Sequence, residues 1–389
     1  MVALTVGGLA ISTFYGVARE TNRFFQEQHR ITSLQDRLRH AMAQVKRDFQ
    51  RAGYLSASNL ATMPDAKRCR PPGAPLTTAG NRIAGIMQYN ADFPGQLLSG
   101  LDPALRYSAD ANVRADRVWL LGNFETSSMY QGVDFDPTTP ATVTLTTQTT
   151  YAARRDFGAW QLGTPAILDA AAFNAAFRIN RPIVIGAPNG TRHFALPTAI
   201  STLGFAAGTG IVFNIDPPAT GPLGVCQLGG GWIAPLEVIE YQVLPIDSAG
   251  TAAAARNAAL RLDAADPVPQ LHRREIDLTT GAPMAGGEDR VVLEYVVAFR
   301  LGFINDAGTL TNQDQDNISW VENSGNANIN PETIRAVRVL LAARSAGQDV
   351  NFALGQNPLQ SFQMDRNRRG AARVRSMRAD IFIPNLALK

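Results

Sequence analysis

From Ile31 onward the apolar positions fall at Ile31, Leu34, Leu38, Ala41 or Met42, Val45 and Phe49, a spacing of three and four. That spacing draws one stripe along an α-helix. The other faces carry Arg37, Arg39, Lys46, Arg47 and Asp48. Ahead of this stretch Met1 to Ala18 is a run without charge, and no proline occurs from Met1 to Met63. Gly53 is the first strong stop, suited to the left-handed residue that follows a helix C-terminus. The pattern predicts one helix of about 50 residues, about 75 Å long. Its first third suits an apolar medium, which Met1, Val2, Leu4, Val6, Leu9, Ile11 and Phe14 would meet. Its last third suits packing on a domain through Ile31, Leu34, Leu38, Val45 and Phe49.

Beyond Gly53 the stretch from Met63 to Asn81 is dense in Pro and Gly and reads as a junction. Strand patterns follow at Asp116–Phe124, Val143–Tyr151, Arg181–Pro188, Gly210–Ile215 and Leu236–Leu244, then at Val291–Leu301, Ile334–Ala343 and Arg373–Ile383. Several alternate apolar with polar, as a sheet with one wet face should. Asp169–Phe177 reads as a short helix, and Ala249–Pro267 as an Ala-rich insertion. No internal repeat is evident. The expected class is α+β, a long N-terminal helix laid by its stripe on a mostly antiparallel sheet.

Composition adds limits. At 389 residues with 45% hydrophobic and 18% charged residues, the chain can build one large or two ordinary cores, so disorder is not its default. A net charge of +3 is too small to select nucleic acid as a partner. The two cysteines, Cys69 and Cys226, are far apart and lack Cys-x-x-Cys spacing, which argues against a metal site. Outside the cytoplasm they would form a disulfide; the alternative is two buried thiols.

The apolar run Met1–Ala18 is at the short limit for crossing a bilayer, which takes about 20 residues. No basic region precedes it, unlike a secretory signal. Gly7, Gly8 and Gly16 would permit close helix packing in lipid, and Gly16 would also let the helix loosen locally.

Candidate chemistry is sparse. His29 and His40 fall on the long helix, and His193 and His272 are isolated, so each reads as solvated or locally hydrogen-bonded. No G-x-S-x-G, H-E-x-x-H or Walker phosphate loop occurs, and Gly204–Gly210 lacks the Lys-Ser/Thr end of one. Neither an enzyme nor a cofactor is expected. Asn312, Asp314 and Asp316 place oxygen donors at alternating positions that Ca²⁺ could use, but without EF-hand spacing they read as a solvated hairpin loop. Arg366, Arg368 and Arg369 open the most basic run, in which Arg373 and Arg375 alternate with Val374 along a strand. A charged strand that discourages aggregation is the preferred reading over contact with DNA.

The opening "MVALTVGGLA" together with "VKRDFQRAGY" (Val45–Tyr54) resembles type IV pilins, in particular the PilW-type minor pilins. Met1–Leu4 match the continuation of the family's processed N-terminus, and Arg47, Asp48, Ala52, Gly53 and Tyr54 match the family's helix end. Arg290–Phe303, Trp320 and Ile334–Ser345 look like the family's paired late strands, and "LHRRE" (Leu271–Glu275) like its strand ending in a basic pair. The family's leader cleavage site and the glutamate behind it precede the positions matched by Met1–Leu4, so processing and N-terminal methylation are not readable here. The resemblance implies a helix at 1–54 and a strand-rich head at 55–389, with an inserted region about 60–235.

The function implied is that of a non-enzymatic minor pilin. It would be held in the bacterial inner membrane with a periplasmic head, then moved to an extracellular pilus tip. Its implied partners are other minor pilins, a PilY-type tip adhesin, the major pilin and the assembly machinery. The alternatives are a minor pseudopilin of a type II secretion system and a DNA-capturing pilin.

Overall fold

The computed structural model describes residues 2–56, 69, 84–89, 116–124, 128–146, 156–159, 167–203, 210–216, 218–221, 224–245, 268–306, 308, 331–350, 352–353, 355, 359–362 and 370–387. Helix α1 spans Val2–Arg51. It ends at Gly53, whose φ of +77° is open to glycine at little steric cost. A Cβ there would meet Leu386 Cδ2 at 2.8 Å, because the C-terminal helix lies against the turn. The Gly53 N–H donates to Leu121 O at 2.8 Å, and Asn385 Nδ2 donates to the free carbonyl of Gln50 at 2.9 Å. The C-terminal segment thus closes on the end of α1 at the base of the helix.

Among the described residues, three sheets carry the head, all of them antiparallel. The first is ordered β1 (Ile86–Tyr89), β2 (Arg117–Gly122), β14 (Glu237–Pro245), β15 (Pro269–Glu275), β16 (Asp289–Glu294). The second is ordered β17 (Val296–Asn305), β18 (Ile334–Arg344), β20 (Ala372–Phe382), β19 (Ser361–Phe362). The third has the order β3 (Tyr130–Gln131), β13 (Trp232–Pro235), β8 (Ile183–Gly186), β9 (Arg192–Ser201), β10 (Ile211–Asp216), β5 (Thr142–Leu145), β4 (Val133–Asp134). Two short ribbons pair β6 (Gly158–Ala159) with β7 (Ile167–Leu168) and β11 (Thr220–Gly221) with β12 (Gly224–Val225). Helix α2 (Ala170–Ala176) packs on the third sheet, and α3 (Pro384–Ala387) closes the chain.

The pattern at Val291–Leu301 predicts one strand, but the structure breaks it at Tyr295, a buried non-glycine residue with φ of +58°. Such a conformation is uncommon for a bulky side chain and turns the chain sharply. The turn delivers it from the first sheet straight into the second. Arg344 steadies the corner: its N–H donates to Tyr295 O at 2.9 Å, and its guanidinium lies 5.1 Å from the ring centre. Asp116 clasps the same two sheets, donating from N to Phe299 O at 2.7 Å and accepting from Leu301 N at Oδ2, 2.6 Å away.

The layers follow from which face each strand buries. Leu34, Leu38, Val45 and Phe49 of α1 pack on Val118, Leu120 and Tyr241 of the first sheet and on Val339, Leu341 and Ile381 of the second. Ile31 is half-buried at the rim of this contact. The other face of the first sheet, with Met87, Trp119, Leu121 and Val238, packs on Val184, Phe194 and Ala234 of the third. The third sheet's far face buries an aromatic cluster, Tyr130, Phe157, Phe173, Phe177 and Phe213. Asp169 caps α2 over it, accepting from the N–H groups of Ala171 and Ala172 at 3.0 Å each.

Cys69 and Cys226 form a disulfide that joins residues 157 apart and packs into this last core. The Cys69 backbone is tied to β9 as well, by N–H to Arg192 O at 2.9 Å and by its carbonyl to His193 Nδ1 at 3.1 Å. His193 is therefore buried and hydrogen-bonded rather than solvated. Replacing both cysteines with Ser should lower unfolding stability by about 4–5 kcal/mol on the chain-entropy scale for a loop of this length. Denaturant titration of the two proteins, followed by fluorescence, checks it; equal midpoints would mean that the core alone holds this region.

Candidate functional site: the projecting helix and its charged seat

The first contacts of α1 with the head come at Arg23 and Glu27, so about 30 Å of helix stands clear of the protein. Large apolar side chains there face solvent: Ile11 is 73% exposed and Phe14 78%, with Tyr15, Val17, Phe24 and Phe25 also open. At 100° per residue Ile11, Phe14, Tyr15 and Phe25 share one sector, and Val17 and Phe24 widen it. Scattered surface hydrophobics are ordinary, but a contiguous apolar face on an extended helix marks an interaction surface. Met1 lies outside the described residues, as do the side chains of Val2, Leu4, Val6 and Leu9. Among the described residues, no helix is long and apolar enough to cross a membrane.

A ring of charge marks the place where the helix leaves the head. Arg23 reaches Asp349 at 3.2 Å and Glu27 at 3.7 Å, and Arg373 of β20 reaches Glu27 at 3.3 Å and Asp349 at 3.4 Å. Arg373 also lies over Phe352, 4.5 Å from its ring centre. These partly exposed pairs are each worth at most about 1 kcal/mol, so they orient the helix more than they hold it.

The stronger hold is lower down, at Asp48. The sequence pattern places Asp48 off the apolar stripe, yet the residue is only 3% exposed. Its position three beyond Val45 continues the buried row Leu34, Leu38, Ala41, Val45. There its Oδ2 accepts from Tyr241 Oη at 2.7 Å and from Arg273 Nε at 2.6 Å, while Gln44 Nε2 donates to both oxygens at 3.1 Å. Burial, and then the Asp48 charge, push the Tyr241 phenol well above its ordinary value. Burial also works against the Arg273 charge, but Asp48, with Tyr241 and Glu237 adding to it, leaves that guanidinium raised.

The basic pair of β15 divides between the two faces of its sheet, as strand alternation requires. Arg273 serves Asp48, and Arg274 serves the fully buried Glu240, which also accepts from Trp119 Nε1 at 2.8 Å and from Arg117. His272, read as solvated or locally bonded, is buried with Nδ1 2.9 Å from Asp289 Oδ1. Arg375, like Arg373, is half-buried beside the helix. Asn312, Asp314, Asp316, Arg366, Arg368 and Arg369 lie outside the described residues. Among the described residues, no group of three or more His, Cys, Asp or Glu could hold a metal ion. Tyr241 has no sequence signal of its own; a carboxylate on the apolar row of a helix was the available sign that such partners exist.

No family model matches the chain, and no curated protein matches it. Among solved structures the chain is similar to a type IV-like pilin from Thermus thermophilus, at 17% identity and a TM-score of 0.20, over 39% of this chain and 68% of that one. A likeness this slight carries no function across.

Asp48→Ala should lower stability by about 2–3 kcal/mol, because it leaves the buried Arg273 Nε and the Tyr241 hydroxyl without their acceptor while Glu288 still meets the guanidinium charge. Tyr241→Phe should cost about 1.5–3 kcal/mol, the worth of one hydrogen bond to a charged acceptor. Equal denaturation midpoints for the wild type and Asp48→Ala would contradict the first value. The raised phenol also sets a pH window. Its contribution is whole below about pH 10, where an unfolded tyrosine titrates, and is lost as pH rises through the higher folded value. Ultraviolet titration should therefore show one fewer late-ionising tyrosine in Tyr241→Phe than in the wild type.

Proposed function

We propose that the protein is a structural subunit of a type IV pilus, a minor pilin of the PilW type. The observation that supports it most is the uncovered apolar face of α1 at Ile11, Phe14, Tyr15 and Phe25, carried on a helix seated firmly on a large head. In this reading Met1–Ala18 is held in the inner membrane with the head in the periplasm. It then leaves lipid to pack against equivalent helices in a filament. One apolar environment replaces another, so little hydrophobic free energy is gained and direction comes from head contacts and an assembly motor. The bulk of the head suits the pilus tip, in a complex with other minor pilins and a PilY-type adhesin, above the major pilin.

A photo-cross-linking residue at Phe14 tests the proposal in cells. The expected result is an adduct with the helix of another pilin, recovered with sheared pili and concentrated at their ends by immunogold labelling. Phe14→Arg should reduce recovery with pili about 100-fold, since a charge in an apolar helix bundle costs about 2.5–3.5 kcal/mol. Protein that never leaves the membrane fraction and gives no pilin adduct would overturn the reading, and labelling along the shafts would overturn the tip position.

A further inference from the structure

The last turns of α1 form one wall of a cleft of about 430 Å³. β14, β15, β16, Phe124 beyond β2 and the loop after α2 supply the others, so the helix, the first sheet and the approach to the third meet there. Six arginines and four carboxylates line it. The carboxylates already have partners. Asp48 takes Arg273 and Tyr241; Glu275 takes both Nε and Nη2 of Arg181, at 2.6 and 2.8 Å; Glu288 takes Arg273 and, at 2.9 Å, Arg290; Glu237 is 4.0 Å from Arg181.

Arg47 and Arg51 are different. Arg47 donates to the amide oxygen of Gln44, and Arg51 donates to the carbonyl of Phe124 at 2.6 Å. Among the described residues neither has a carboxylate partner, so the cleft holds two guanidinium charges in excess. The Arg290 guanidinium is held below its ordinary value, first by burial and then by the neighbouring Arg273 charge. Arg47 and Arg51 are four residues apart, with Cβ atoms about 5–6 Å from each other on one face. That separation suits two carboxylates, each held by one planar fork. The volume falls within the usual range for a ligand pocket, about 300–1,000 Å³, and exceeds the needs of one inorganic ion.

We propose that this cleft binds an acidic peptide segment of a partner protein, with Arg47 and Arg51 each taking a carboxylate. The inference stands whether or not the chain enters a filament. Calorimetric titration of the full chain in detergent micelles with capped hexaglutamate tests it, with inorganic phosphate in a parallel arm. Hexaglutamate should bind, and the Arg47→Gln, Arg51→Gln pair should weaken binding at least about tenfold. Arg39→Gln with Lys46→Gln makes the same charge change on exposed positions of the helix and should leave the affinity within about twofold. Arg47→Gln alone alters only an exposed side chain, so its effect is readable without loss of the fold. No binding by hexaglutamate, or an equal loss in the control pair, would overturn the site. Phosphate binding as tightly as the peptide would overturn the peptide assignment in favour of a small-anion site.

Discussion

A carboxylate buried on a helix is stable only where its charge is met, and at Asp48 it is met by three donors that come from both sides of the interface. Gln44 lies on the helix itself; Tyr241 and Arg273 stand on adjacent strands of the first sheet. Apolar contacts alone would let a smooth helix slide or rotate over a sheet at modest cost. Directional bonds to one buried atom do not. Asp48 therefore fixes the axial position and rotation of α1, and through them the direction in which its free end points.

The rest of the head is arranged around that seat. The first sheet is covered on both faces, by the helix and by the third sheet, and its strands are correspondingly apolar on both sides where they cross the middle. The second sheet extends the helix-binding surface, joined through the Tyr295 corner and the Asp116 clasp. Charge rings close the interface at each end: the Arg23, Glu27, Asp349 and Arg373 ring above, and the Arg-rich cleft below. A wide apolar band between two polar collars gives the helix a single resting place.

Much of this was legible in the sequence. The three-and-four spacing, the absence of proline and the Gly53 stop define α1, and alternation locates β2, β8, β10, β14, β18 and β20 to within a few residues. What was hidden has physical reasons. β9 includes Pro197, which weakens a strand pattern, and β13 is a four-residue segment ending in proline. The Tyr295 break lies inside an uninterrupted apolar run, where nothing local announces a left-handed residue. The role of Asp48 depends on two partners more than 190 and 220 residues away, and no local pattern carries such a pairing.

The disulfide has a mechanical meaning. Cys69 and Cys226 bracket most of the third sheet, so a chain drawn out by its two ends would pass from one sulfur to the other and leave the residues between them slack. About 500 Å of contour would be withheld from extension. Tension applied through α1 would then pass from the helix seat across the disulfide to β13 and the strands that follow, while β1 to β12, two of them from the first sheet, ride as a closed side loop.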